Sequence, residues 1–143
     1  MRRMRVGTWL TLLALLPAGC SHDTGPKRQR EPNRASMGFI DQPAAEAVVG
    51  PIFTVAGWAI DESGVERVRL YLDDQLVATV PITIPRPDVD RAMSVRVGAG
   101  TPHGFSVMID AGSRAGYYTI RAEAIDGKGA ISQIATANIR IEP

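Results

Sequence analysis

The sequence predicts an all-β domain over residues 38–143, an antiparallel sandwich of about seven short strands. Three observations predict it. Apolar and polar side chains alternate along short runs, Gly, Pro and Asp separate those runs, and no window of useful length carries a 3.6-residue period. The chain has a single cysteine, Cys20, so no disulfide can form within it. The domain must therefore be held by packing, and roughly 105 residues suffice to bury about two-thirds of the unfolded surface.

The first nineteen residues have a different character. Arg2, Arg3 and Arg5 make a positive start, and Val6 to Leu16 is an apolar run. As a helix that run spans only about 16 Å against the roughly 30 Å of a bilayer core, so it predicts a secretory signal rather than a membrane span. Its end, Leu16-Pro17-Ala18-Gly19-Cys20, resembles the bacterial lipobox, with Pro17 where Leu is usual. The resemblance implies diacylglycerol transfer to the Cys20 sulfur, cleavage after residue 19 and acylation of the new amino group. Two or three acyl chains anchor stably where one is marginal. Ser21 follows the cysteine, and Asp there would imply inner-membrane retention by the enterobacterial rule. The expected address is the cell envelope, and the outer membrane where the source has one.

Residues 20–37 predict a tether. The stretch Ser21 to Ser36 contains Lys27, Arg28, Arg30 and Arg34, two acids, two prolines and almost no apolar residue. It cannot bury enough surface to fold. The basic side chains either touch anionic headgroups or simply keep the spacer solvated.

Within the domain, Ile52–Ile60 is rich in β-formers. In Val65–Asp73, Val68, Leu70 and Leu72 share one face. Leu76–Ile84 is a further run, in which Pro81 predicts an edge or a break. Phe105, Val107 and Ile109 define another strand; Tyr118, Ile120, Ala122 and Ala124 the next; Ala135, Ala137, Ile139 and Ile141 the last. The motif A-I-D-x-x-G occurs twice, at Ala59–Gly64 and Ala124–Gly129. Asp can hydrogen-bond the following backbone and Gly can take positive φ, so both copies predict hairpin turns, at the same end of the stack.

From about Gly50 to Ile141 the chain resembles a bacterial immunoglobulin-like domain of secreted and surface proteins. The residues that carry the resemblance are Gly57-Trp58-Ala59-x-Asp61, Gly64-Val65, Val68, Tyr71-x-Asp73, Arg86-Pro87-Asp88-Val89, Gly104-Phe105, Asp110, Gly116 and Ala124-x-Asp126-x-x-Gly129. It implies an immunoglobulin-like sandwich. The stretch Asp90–His103 departs from the family's Pro-rich turn, and Tyr117-Tyr118 stands where a His is usual.

Four groups of residues are candidates for sites. Cys20 is the lipidation site. Trp58, Arg86 and Asp88 either contact a ligand on a loop or hold that loop in place; in the second, preferred role Asp88 caps the turn begun at Pro87 and Arg86 lies over the Trp58 ring. Asp61 and Asp126, with Glu62 and the pair Asp73-Asp74, are weak Ca²⁺ candidates, because oxygen clusters suit that ion. Lacking a D-x-D-x-D run, they fit turn formation better. Trp58, Tyr71 and Tyr117 are the aromatic residues available for a sugar-stacking platform, in competition with the core.

No catalytic residue is expected. His22 and His103 stand in the tether and in a loop, and G-x-S-x-G, a Gly-rich phosphate cradle and His/Cys metal spacing are all absent from the sequence. No cofactor is expected either. The net charge of +1 includes three signal arginines; without them 13 basic face 15 acidic side chains, a net −2. That balance excludes phosphate neutralisation, so nucleic acid is not an expected partner. The expected function is a non-catalytic, lipid-tethered envelope module for structure or protein interaction, with the membrane as partner through its anchor. The alternative is a carbohydrate-binding or adhesive surface domain.

Overall fold

In a computed structural model the described residues are 34–93 and 100–143; Cys20, the signal and most of the tether lie outside them. Eight strands and one short helix follow in order: β1 (Met37–Gln42), β2 (Ala47–Val49), β3 (Ile52–Ile60), β4 (Val65–Leu72), β5 (Gln75–Pro81), α1 (Pro87–Ala92), β6 (Gly104–Asp110), β7 (Gly116–Asp126) and β8 (Ile131–Ile141). They form two sheets, β1-β3-β6 and β2-β8-β7-β4-β5. Every pairing is antiparallel except β2 with β8. The domain is an immunoglobulin-like β-sandwich.

Alternation along the strands sets which face is covered. Phe53, Val55 and Ala59 of β3 are buried, as are Val68, Leu70 and Leu72 of β4. Phe105 and Ile109 of β6 meet Ile120, Ala122 and Ala124 of β7 and Ala137, Ile139 and Ile141 of β8 in the same core cluster. Within the three-stranded sheet, Gly57 leaves room for groups of both neighbouring strands. A Cβ on Gly57 would stand 2.1 Å from the Phe39 carbonyl oxygen and 2.8 Å from Phe105 Cζ. Pro81 ends β5, the edge strand of its sheet, where a missing N–H costs no ladder bond.

The two A-I-D-x-x-G segments adopt one conformation. In each, the Gly N–H donates to the Asp carbonyl (Gly64 to Asp61, 3.0 Å; Gly129 to Asp126, 2.9 Å), with φ of +81° at both glycines. The Asp Oδ1 accepts a backbone N–H two residues on, from Ser63 and from Lys128, both at 2.8 Å. The turns also lie side by side at one end, where Gly127 N–H donates to the Gly64 carbonyl at 2.9 Å. Only the second closes a hairpin, because β7 and β8 are paired neighbours, whereas β3 and β4 belong to different sheets. The first copy is a crossover between layers. This corrects the expectation of two hairpins: identical turn chemistry reverses the chain but does not choose which strand it pairs with next.

Candidate functional site

The Arg86-Pro87-Asp88-Val89 segment begins α1. Pro87 occupies the first turn, where its missing N–H removes no helix bond, and Val89 is the buried residue of the helix. Arg86 Nε and Nη2 donate to the two oxygens of Asp88 at 2.8 and 2.6 Å, and Nη1 donates to Asp41 Oδ2 at 2.6 Å. Its stem runs over Gly104, whose absent Cβ would stand 3.0 Å from Arg86 Cγ. Arg86 therefore straps the segment to the three-stranded sheet, from β6 to the first strand.

The expected stacking of Arg86 on Trp58 is corrected: the guanidinium goes to two carboxylates. Anionic partners in a planar fork satisfy it better than a ring face. Trp58 itself is half-buried on the outer face of β3, between Phe39 and Gly104 in register. Asp88 is not the helix cap either. The N-cap position is held by Arg86 without a side-chain cap bond, and Asp88 acts from the first turn.

The fork sets the charge state of the segment. The hydrogen bond from Arg86, above all, holds the Asp88 carboxyl well below the usual range, and the bond to Asp88 in turn pushes the Arg86 guanidinium up. Asp88 binds its proton more weakly folded than unfolded. The strap's contribution is thus complete above the ordinary Asp pKa of about 4 and is lost only as pH falls toward the depressed folded value. Urea melts of wild type and Arg86→Ala should show a stability gap that is constant from neutrality to about pH 4 and narrows in stronger acid. A gap that varies between pH 5 and 8 contradicts the strap.

Beside the strap, His103 Nε2 lies 3.0 Å from Asp90 Oδ1, without an aligned hydrogen bond. The imidazole is buried, with 5% of its side chain exposed. It is the one histidine among the described residues, and it is enclosed rather than presented to solvent.

Asp61 and Asp126 spend their oxygens on turns. Asp61 accepts from the Ser63 amide, from Ser63 Oγ at 2.6 Å and from Ser36 Oγ at 3.0 Å. Asp126, 1% exposed, accepts the Lys128 and Ala130 amides on one oxygen, both at 2.8 Å. Asp73 and Asp74 do not join them, because they follow the far end of β4, about 25 Å along the strand. Among the described residues no group of three His, Cys, Asp or Glu is placed to hold a metal ion.

The aromatic residues also separate. Tyr71 and Tyr117 lie on the five-stranded sheet, Trp58 on the other. The guanidinium of Arg121 sits 4.0 Å from the Tyr71 ring centre, and that of Arg140 5.9 Å from Tyr117. Tyr71 is thereby covered, while Tyr117 remains 78% exposed.

What the sequence did not foreshadow is a shallow cleft of about 230 Å³ lined by Glu46, Asp73, Tyr117, Tyr118, Thr119 and Asn138. It lies at the end of the sandwich opposite the twin turns. A row of hydrogen bonds crosses the sheet beneath it. The Thr119 amide donates to Asp73 Oδ1 at 2.9 Å, the Thr119 hydroxyl to Asn138 Oδ1 at 3.1 Å, and Asn138 Nδ2 to Glu46 Oε1 at 3.2 Å. Glu46 and Asp73 both have positive φ, 63° and 51°, which turns each into the row from the end of a loop. The chain enters at the other pole, where Ser36 bonds Asp61 and Arg34 pairs with Glu62 at 3.1 Å.

The family model described as the bacterial Ig domain matches residues 39–122. No curated protein matches the chain. Among solved structures, the fibronectin(III)-like modules of Clostridium thermocellum CbhA align with a TM-score of 0.52 and 16% identity, over 73% of this chain and 94% of theirs. At that identity the likeness is one of fold. Together with two sheets packed over a common core, the matched segment assigns the chain to the bacterial Ig domain family.

Proposed function

We propose that the chain is a lipid-anchored module of the bacterial cell envelope, without catalytic activity, that holds an Ig-like interaction domain near its partners. The observation that carries the reading is the solitary Cys20, placed at the end of the apolar run in a lipobox-like context. An acylated Cys20 confines the domain to a surface, and confinement raises its effective concentration toward neighbouring envelope components. About fifteen tether residues give the domain a reach of roughly 20 Å as a flexible coil. The absence of Asp after Cys20 favours the outer membrane in a source with two membranes.

The geometry supports the non-catalytic part. The described histidine is buried against a carboxylate, and Asp61 and Asp126 are engaged by turn amides. The −4 balance from Met37 onward, with 9 basic and 13 acidic side chains, supports a partner other than nucleic acid. Membrane fractionation with detergent-phase partitioning tests the anchor. Wild type should partition with membranes and Cys20→Ser should be released; identical partitioning of the two would overturn the reading.

A further inference from the structure

We propose that the cleft bounded by Glu46, Asp73, Tyr117, Thr119 and Asn138 is a binding site for a saccharide ring that bears no anionic group. The proposal rests on reading the domain as an interaction module, but not on its lipid anchor. The hydrogen-bond inventory restricts the ligand. The Thr119 amide and hydroxyl and one Asn138 amide proton are committed to the row beneath the cleft. The second oxygens of Asp73 and Glu46 accept no hydrogen bond among the described residues, and Asn138 keeps its other amide proton. The cleft thus offers mainly acceptors and asks for a ligand rich in donors.

Charge narrows the class further. The carboxylates of Glu46, Asp73, Asp74, Asp110 and Glu142 outnumber the guanidiniums of Arg114 and Arg140 at this pole. Arg140 is already paired with Glu142 at 3.1 Å, and Arg114 reaches the Ala111 carbonyl and Gln75. Phosphorylated, sulfated and uronic ligands are disfavoured there. The remaining wall is the Tyr117 ring, 78% exposed at the start of β7. With the Arg140 guanidinium 5.9 Å from its centre, the ring still presents exposed aromatic surface, which suits the C–H face of a pyranose. Acceptors for hydroxyl groups beside an aromatic face suit a sugar ring. A volume of about 230 Å³ holds a single ring, since drug-sized ligands take roughly 300 Å³ or more.

The cleft also lies at the end of the sandwich opposite Arg34 and Ser36, which pair with Glu62 and Asp61.

The test uses the full chain from Cys20, acylated and held in a sugar-free detergent, on an array of neutral, acidic and cationic glycans. Binding to neutral glycans is expected, weakened about tenfold or more by Tyr117→Ala and kept by Tyr117→Phe. Tyr117 is exposed, so both variants should melt with wild type, which separates lost binding from lost folding. Binding to no glycan, binding indifferent to Tyr117→Ala, or selection of acidic glycans over neutral ones overturns the proposal. None of these outcomes bears on acylation, which fractionation reads separately.

Discussion

Phe105→Ala should destabilise the domain by about 3–5 kcal/mol, the range found for large aromatic truncations in cores. Phe105 is 1% exposed and belongs to the central cluster, with its Cζ over Gly57. The ring fills the space that Gly57 leaves open on the neighbouring strand, and both residues stand in register across β3 and β6. Truncation removes the ring's transfer energy and leaves a void that two hydrogen-bonded sheets cannot close. Urea denaturation should show a lower midpoint with an unchanged slope. The paired variant Gly57→Ala separates two clashes, one with Phe105 Cζ and one with the Phe39 carbonyl. Combining it with Phe105→Leu relieves only the first, so the double variant should remain less stable than Phe105→Leu alone. If Phe105→Ala cost less than 1 kcal/mol, this packing would be wrong.

The second large effect is expected at Asp126. Asp126→Ala should cost about 1.5–3 kcal/mol, because a charge-assisted acceptor of two amides is removed from a buried position. The Lys128 and Ala130 amides converge on one of its oxygens, and the residue is 1% exposed. Asp126→Asn keeps an acceptor in place and should recover much of the loss. Asp61→Ala should cost less, since Asp61 is only partly buried and two of its three donors are hydroxyls with water as an alternative. The Gly127 to Gly64 bond links the turns, so the Asp61/Asp126 double variant should depart from additivity. Strict additivity would mean that the two turns act independently.

The residues show which parts of this fold were legible in advance. Val68, Leu70 and Leu72 repeat every second position, and β4 buries all three; the same holds for Ile120, Ala122 and Ala124 on β7. Where a strand buries little, the signal vanishes. β1 covers Ile40 alone, and β2 has three residues joined to β8 in parallel, so neither carries an alternation that can be read. α1 is too short for a helical period and buries only Val89. Its start at Pro87 was readable because proline chemistry is local.

Sites follow the same rule. Arg86 and Asp88 are two residues apart and their pairing was open to inference, but Asp41 stands 45 residues away and only folding brings it to Arg86. The cleft joins Glu46 to Asn138 across 92 positions. The three aromatic residues Trp58, Tyr71 and Tyr117 were separable only by sheet assignment, which alternation alone does not provide.

An Ig-like sandwich of this size can serve many roles, and the fold alone does not select one. The proposed role of this chain rests on acylation at Cys20. Intact-mass and peptide mass spectrometry of protein taken from the membrane fraction reads that chemistry most directly. The account predicts a mature chain that begins at Cys20, lacks residues 1–19 and carries a thioether-linked diacylglycerol. Recovery of Cys20 as a free thiol, or of Met1 on the membrane-associated protein, would contradict it.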